Sequence, residues 1–249
     1  MSNEPLLSII TVSAFDGKRL AKTLHSLAGV SSFIEHVVVI PKDDIESVAI
    51  WESYSDSTPH PMLLVHDERQ GVYPAMNIGA NASRGKYICY WNAGDELNSV
   101  EDLQILLENL DAGNPKWVIC QGKFQWRQSQ ELSVLNLFGF IKHKAYSFVS
   151  HQTVIVRRDT FILIGSFDCR YRVAADTAMI TRMCSIENPR WEESVVVKVE
   201  APQFASHNHR LGRIEVLLIA LRELQGSQRI QALKNIFYAE TKRLVMKLK

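Results

Sequence analysis

The chain has little of what marks the unusual protein classes. Its 249 residues include only four cysteines, 12 glycines and 8 prolines, which excludes a disulfide scaffold, a collagen-like repeat and a Pro/Gly-rich disordered chain. The cysteines (Cys89, Cys120, Cys169, Cys184) fall at no C-x-x-C or metal-ligand spacing, and three sit in apolar or mixed segments, so they read as reduced structural thiols. No apolar run approaches the roughly 20 residues of a membrane-spanning helix. The opening MSNEPLLSIITV has neither a basic leading region nor a cleavage site, so a cytoplasmic protein is expected. No internal repeat or low-complexity linker is present.

What remains is an ordinary globular composition, 46% hydrophobic and 22% charged, in a chain long enough to bury a sizeable core without metal or disulfide staples. The net charge of +1 hides an asymmetry: residues 1–125 carry 9 basic against 16 acidic side chains, and residues 126–249 carry 19 against 11. The last 24 residues hold six basic groups, including Lys242, Arg243, Lys247 and Lys249, and one acid, Glu240. No nucleic-acid partner is expected.

Apolar, β-branched runs of strand length recur at Leu7–Val12, Glu35–Ile40, Met62–His66, Lys86–Asn92 and Trp117–Gly122. Stretches with helical spacing lie between them, such as Leu20, Leu24 and Leu27, or Leu103, Leu106, Leu107 and Leu110. Alternating strand and helix predicts an α/β fold with a parallel sheet covered on both faces and a ligand cleft at the strand ends. Further on, Thr153–Arg157 and Ser194–Val199 read as strands and Ala174–Ser185 as a helix. Gln128–Ser150 reads as a long excursion, a lid or a misassigned element. From Ile214 onward the pattern is helical to the end, interrupted near Gly226.

The segment with the most chemical content runs from Gly71 to Leu97. A helix bounded by Gly71 and Gly85 precedes a strand that ends abruptly in Asn92-Ala93-Gly94-Asp95-Glu96. A carboxylate just past a central strand faces the cleft, and hard oxygen donors suit Mg2+ or Mn2+ shared with substrate phosphates. The same residues also suit a turn capping the helix after Ser99.

In order along the chain, LSIITV (7–12), KTLHSL (22–27), GVYPAMNIG (71–79), WNAGD (91–95), FVSHQ (148–152), IGSFD (164–168) and YRVAAD (171–176) resemble family 2 glycosyltransferases of the GT-A fold, with the bacterial colanic acid and exopolysaccharide branch nearest. The resemblance covers residues 6 to 210. It implies a GT-A, Rossmann-like, mixed and mainly parallel sheet flanked by helices, with a nucleotide-sugar-binding half (1–125), an acceptor half (126–210) and a C-terminal helical extension (211–249). It implies an inverting, metal-dependent enzyme moving a sugar, with a UDP-sugar as the leading donor, onto a lipid-linked glycan. Asp95 would hold Mg2+ or Mn2+, with His207 as an additional metal or phosphate contact. Asp176 would be the base that deprotonates the acceptor hydroxyl. Thr11, Val12 and Phe15 would hold the nucleotide base, and Asn77, Asn92, Ala93 and Gly94 complete the donor site. Asp176 also reads as a helix N-cap, Phe15 and Val12 as core packing, and the 206–210 polar cluster as a surface loop.

Three positions depart from the family pattern. Pro41-Lys42-Asp43-Asp44 replaces the usual acid after the second strand, so Asp43 or Asp44 substitutes or the contact is absent. Arg69 and Pro74 stand where acids are usual. These changes keep open a catalytically impaired homologue acting as a sugar-nucleotide or partner-binding subunit. A nucleotidyltransferase shares a similar sheet, but Ser13-Ala14-Phe15-Asp16-Gly17 is not its phosphate loop. The basic, amphipathic C-terminus suits either an anionic membrane surface, placing the enzyme on the cytoplasmic face of the inner membrane, or packing on protein, including a homodimer partner.

Overall fold

The computed structural model describes residues 4–30, 33–68, 70–125, 132–134, 149–200, 209–230, 232–234 and 236–237. The sheet is built first from strands buried on both faces. In β1 (Leu7–Val12), Leu7 and Ile9 point into one core and Ile10 into another. In β4 (Tyr87–Asn92), Ile88 and Tyr90 face the same core as Ile10, while Tyr87, Cys89 and Trp91 face the opposite one. Strands that send large apolar side chains to both faces are satisfied by cover on both sides. Each fully buried Leu or Ile contributes roughly 1.5–3 kcal/mol relative to exposure.

The cover is helical. Helices α1 (Gly17–Leu27) and α2 (Ile45–Ser55) pack Leu20, Leu24, Val48 and Trp51 over Val38 and Ile40 of β2 (Ile34–Pro41). Helix α4 (Val100–Gly113) lays Leu103, Leu106, Leu107 and Leu110 on the face of Tyr87 and Trp91. Helix α3 (Val72–Ala82) lies on the other face, so close that a Cβ on Gly79 would stand 2.5 Å from Ile10 Cγ2.

Strands β1, β2, β3 (Met62–Asp67) and β4 pair in parallel in the order β3-β2-β1-β4. The sheet then continues through β8 (Val154–Arg157), β6 (Trp117–Gln125), β9 (Arg190–Val199) and β5 (Glu96–Leu97), with β7 (Leu132–Val134) beside β6. Here only β6–β9 is parallel; β4–β8, β6–β8, β6–β7 and β5–β9 are antiparallel. The sheet is therefore mixed, and mainly parallel only in its first half. One sheet runs through residues on both sides of position 125.

Helices α5 (Arg158–Leu163), α6 (Ala175–Ile186) and α7 (His209–Glu223) complete the fold. Phe161 of α5, Tyr73, Tyr90 and Phe167 form an aromatic cluster with ring centroids 4.9 to 5.6 Å apart. Helix α5 was not expected, and α7 begins five residues before the expected Ile214. Helix breaks at 224–225, beside the expected interruption, and resumes over 226–230 from Gly226, whose φ is 51°. Most of the Gln128–Ser150 excursion lies outside the described residues. Cys89 and Cys120 are buried thiols, the latter pushed up to about 12 by desolvation, and none of the four cysteines forms a disulfide.

Candidate functional site

The strand order reverses between β1 and β4: the chain winds outward from β1 to β3, then crosses back to β4. Such a switch point opens a crevice beyond the carboxyl ends of the two strands. Val12 and Asn92 are register partners there. The loop after β1 is braced by Asp44, which is 2% exposed. One of its oxygens accepts from the Phe15 amide and the other from Ser47 N at 3.1 Å, capping α2. Phe15 is held at φ 54° with its ring 57% exposed above the crevice. Asp43 is exposed beside this brace. Thr11 turns inward: its hydroxyl lies 2.9 Å from Nε2 of His36, whose burial, and then the nearby His60, lower its pKa to about 3 and keep it neutral.

The turn ending β4 is organised by Asp95. Its Oδ2 accepts from Asn92 N at 2.8 Å and its Oδ1 from Glu200 N at 3.0 Å, just past β9. Gly94 sits at φ 101°, where a side chain would be strained. Its N–H donates to Thr23 Oγ1 at 3.0 Å, and that hydroxyl donates to Asp95 O at 2.7 Å. A Cβ on Gly94 would stand 2.1 Å from Glu200 Oε2 and 2.6 Å from Arg19 Nε; these two atoms pair across the turn at 3.0 Å. Ala93 is buried and Asn92 half-buried.

Asp95 has no exposed surface. Burial raises its pKa to about 6, against the downward pull of the Asn92 and Glu200 amides, His151 and the Gln152 side chain. A hard cation needs an ionised carboxylate with an open face, and among the described residues no three His, Cys, Asp or Glu side chains gather as a metal site. Both Asp95 oxygens already accept from backbone amides. His207 and Arg69 lie outside the described residues.

Asp176 opens α6 at its second residue. Its Oδ1 accepts from Thr177 N at 2.7 Å, and its Oδ2 faces His151 Nδ1 at 3.3 Å. His151 and Gln152 form a single 3-10 turn leading into β8. Adjacent residues of this turn therefore address the two acids: His151 pairs with Asp176, and Gln152 lies close enough to Asp95 to draw its pKa down. His151 Nε2 is buried without a hydrogen-bond partner. Tyr73 of α3 donates to Val173 O at 2.9 Å, and burial together with the Asp176 carboxylate keeps its phenol protonated.

Other expected residues are braces. Asn77 clamps Phe167 with both ends of its amide, donating to the carbonyl at 2.9 Å and accepting from the N–H at 3.0 Å. Pro74 falls in the first turn of α3, where backbone N–H groups have no intrahelical partner, so the ring is tolerated. Arg170 pairs with Asp168, and Arg182 donates to Ser166 O. Sequence reasoning missed Thr23, Arg19, Glu200, Tyr73 and Glu215, whose partners lie 41 to 181 residues away.

Comparison with known proteins bears on the family and the fold. Residues 8–165, more than half the chain, match the family model "Glycosyl transferase family 2". A "PGL/p-HBAD biosynthesis glycosyltransferase" from Mycobacterium tuberculosis is 26% identical over 179 residues, covering 69% of this chain and 67% of that protein. Among solved structures, Staphylococcus aureus TarS superposes over 93% of this chain with a TM-score of 0.70 and 16% identity, although the chain spans only 42% of the TarS chain. A shorter TarS structure in complex with UDP-GlcNAc gives 0.72 over 93% of this chain and 71% of that one, at 15% identity. The Pyrobaculum calidifontis mannosyltransferase PcManGT, in complex with GDP-Man and Mn2+, gives 0.68 over 95% and 69%, also at 15% identity. These likenesses share the GT-A fold but do not single out the colanic acid and exopolysaccharide branch. The chain belongs to glycosyl transferase family 2.

Proposed function

We propose that this glycosyltransferase transfers a sugar with inversion from a nucleotide-sugar donor, with UDP-sugars first in line, to a hydroxyl of a lipid-linked bacterial glycan. The observation that carries the proposal is the 151–152 turn, which sets His151 on Asp176 and Gln152 beside the Asp95 turn beyond the ends of β1 and β4. The nucleotide would lie over the β1 loop against Phe15, in the pocket braced by Asp44. The acceptor hydroxyl would approach from the side of α6. Its oxygen forms the new bond to the anomeric carbon as the bond to the diphosphate oxygen breaks with its electron pair leaving on the diphosphate. The hydroxyl proton passes to Asp176.

In this scheme Asp95 shapes the donor turn from beneath, and Mg2+ or Mn2+ enters only as a companion of the donor's diphosphate. Pro74 fits the first turn of α3 but brings no acid there, so an impaired homologue that binds a sugar nucleotide or a partner is the alternative reading. Membrane contact belongs to the same proposal: Ile214, Leu217 and Leu221 are exposed at helical spacing on α7, ahead of the basic C-terminal segment. The test is nucleotide release from a panel of UDP-, GDP- and dTDP-sugars, with the product anomer read by NMR. Asp176→Asn should lower kcat by about 10^2 to 10^4-fold with donor affinity nearly unchanged. Transfer at wild-type rates by that variant, or retention of configuration, would refute the mechanism.

A further inference from the structure

Helix α6, which carries Asp176, begins without a cap of its own: Ala174 occupies the N-cap position and has no side-chain acceptor. The first amides of a helix need partners, especially when buried. The Ala174 amide, together with those of Arg172 and Val173 just ahead of the helix, finds one on another helix. Glu215 of α7, 4% exposed, accepts from Arg172 N through Oε1 and from Val173 N and Ala174 N through Oε2, each at 2.8 Å.

A buried carboxylate is costly unless its charge is met. Three charge-assisted bonds at a helix N-terminus meet it here. The amides concerned are those of the residues leading directly into Asp176. The Val173 carbonyl in the same turn accepts from Tyr73, whose ring lies beside Asp176. The turn is thus gripped from both sides, by α3 through Tyr73 and by α7 through Glu215. Glu215 lies 50 residues beyond the end of the family match at 165, in an element that touches neither β1 nor the β4 turn among the hydrogen bonds described.

We propose that Glu215 is a positioning residue for the transfer reaction. Its carboxylate fixes the 172–174 amides and so sets where Asp176 meets the acceptor hydroxyl and His151. The inference rests on the reading of Asp176 as the base. Its effect falls on the chemical step rather than on donor binding, because Glu215 braces the acceptor-side turn.

The test is a double-mutant cycle on the whole chain, read as nucleotide release from whichever panel sugar the wild type turns over. Glu215→Ala should lower kcat about 30-fold, in the range expected when a reacting group is displaced by a fraction of an ångström to an ångström, while the donor KM stays within about twofold. Glu215→Gln keeps the shape and one acceptor oxygen and should restore most of the rate. In the Asp176→Asn background, Glu215→Ala should change the residual rate less than about twofold, because the group it positions is already disabled. A purely structural loss would instead carry over undiminished. Amide exchange at 172–174 should quicken in Glu215→Ala. A wild-type kcat in Glu215→Ala, or an equal fold-loss in both backgrounds, overturns the positioning role. If Glu215→Ala fails to fold, Glu215→Asp, whose shorter side chain withdraws the carboxylate from the three amides, carries the cycle, and a wild-type kcat there overturns it equally. An inactive wild type with every donor overturns the transferase reading and this role together, whereas an active wild type with an indifferent Glu215 overturns this role alone.

Discussion

Asp95→Asn separates two roles that the same residue could play. In the fold described here its carboxyl is fully buried, and desolvation lifts its pKa from 3.8 to about 6. Between those values the unfolded chain has lost its proton while the folded one keeps it. The contribution of Asp95 to the stability of the wild type therefore declines as pH rises from about 4 to 6, then levels off. The shift amounts to about 3 kcal/mol at 1.36 kcal/mol per pKa unit. Asparagine does not titrate, so the variant escapes this decline. Whatever fixed offset it carries from rearranged hydrogen bonds, its stability relative to wild type should improve by about 3 kcal/mol between pH 3 and pH 7. Other titrating groups, His36 among them, act on both proteins alike and cancel in the difference. Urea unfolding at half-unit pH intervals measures the effect, which corresponds to roughly 6–12 °C in melting temperature for a chain of this size. Parallel curves for the two proteins would show an ordinary, ionised carboxylate with an open face. The account of Asp95 as a buried organiser of the β4 turn would then fail, and a metal-ligand role would return.

Gly79→Ala should destabilise the fold by about 1–3 kcal/mol in denaturant, since the added methyl meets Ile10 at 2.5 Å and Val39 at 3.0 Å across rigid helix–sheet packing; an unchanged midpoint would refute that tightness. The chain should co-sediment with vesicles containing anionic phosphatidylglycerol and not with neutral phosphatidylcholine vesicles. Binding should weaken several-fold when Leu217 and Leu221 are both changed to Ser, and equal binding to both vesicle types would remove the membrane proposal.

Much of the architecture is legible in the residues because β1, β2 and β4 are buried on both faces, and unbroken β-branched runs have few other uses. Leu7–Val12 is recovered to the residue, and the switch point follows from the order of strands and helices. The two-residue β5 and the six-residue α5 show no period long enough to read. Asp176 is legible through the motif around it. The setting of Asp95 is not, because the amide that engages its Oδ1 belongs to Glu200, 105 residues later, and no local pattern records that meeting. Glu215 escapes for the same reason: on its own helix it is one acid among charged neighbours, and only the tertiary approach of α7 to α6 gives it three amides to hold.

The contact between Glu200 and the β4 turn also bears on how the protein is made. Everything needed to form the early parallel strands has been synthesised well before residue 200, yet the Asp95 carboxylate lacks one of its amides, and Gly94 its Arg19–Glu200 roof, until β9 has threaded beside β6 and β5. A nascent chain still short of that point can own a folded sheet edge but not a finished donor turn. Competence to engage a sugar nucleotide would thus arrive late in translation and all at once.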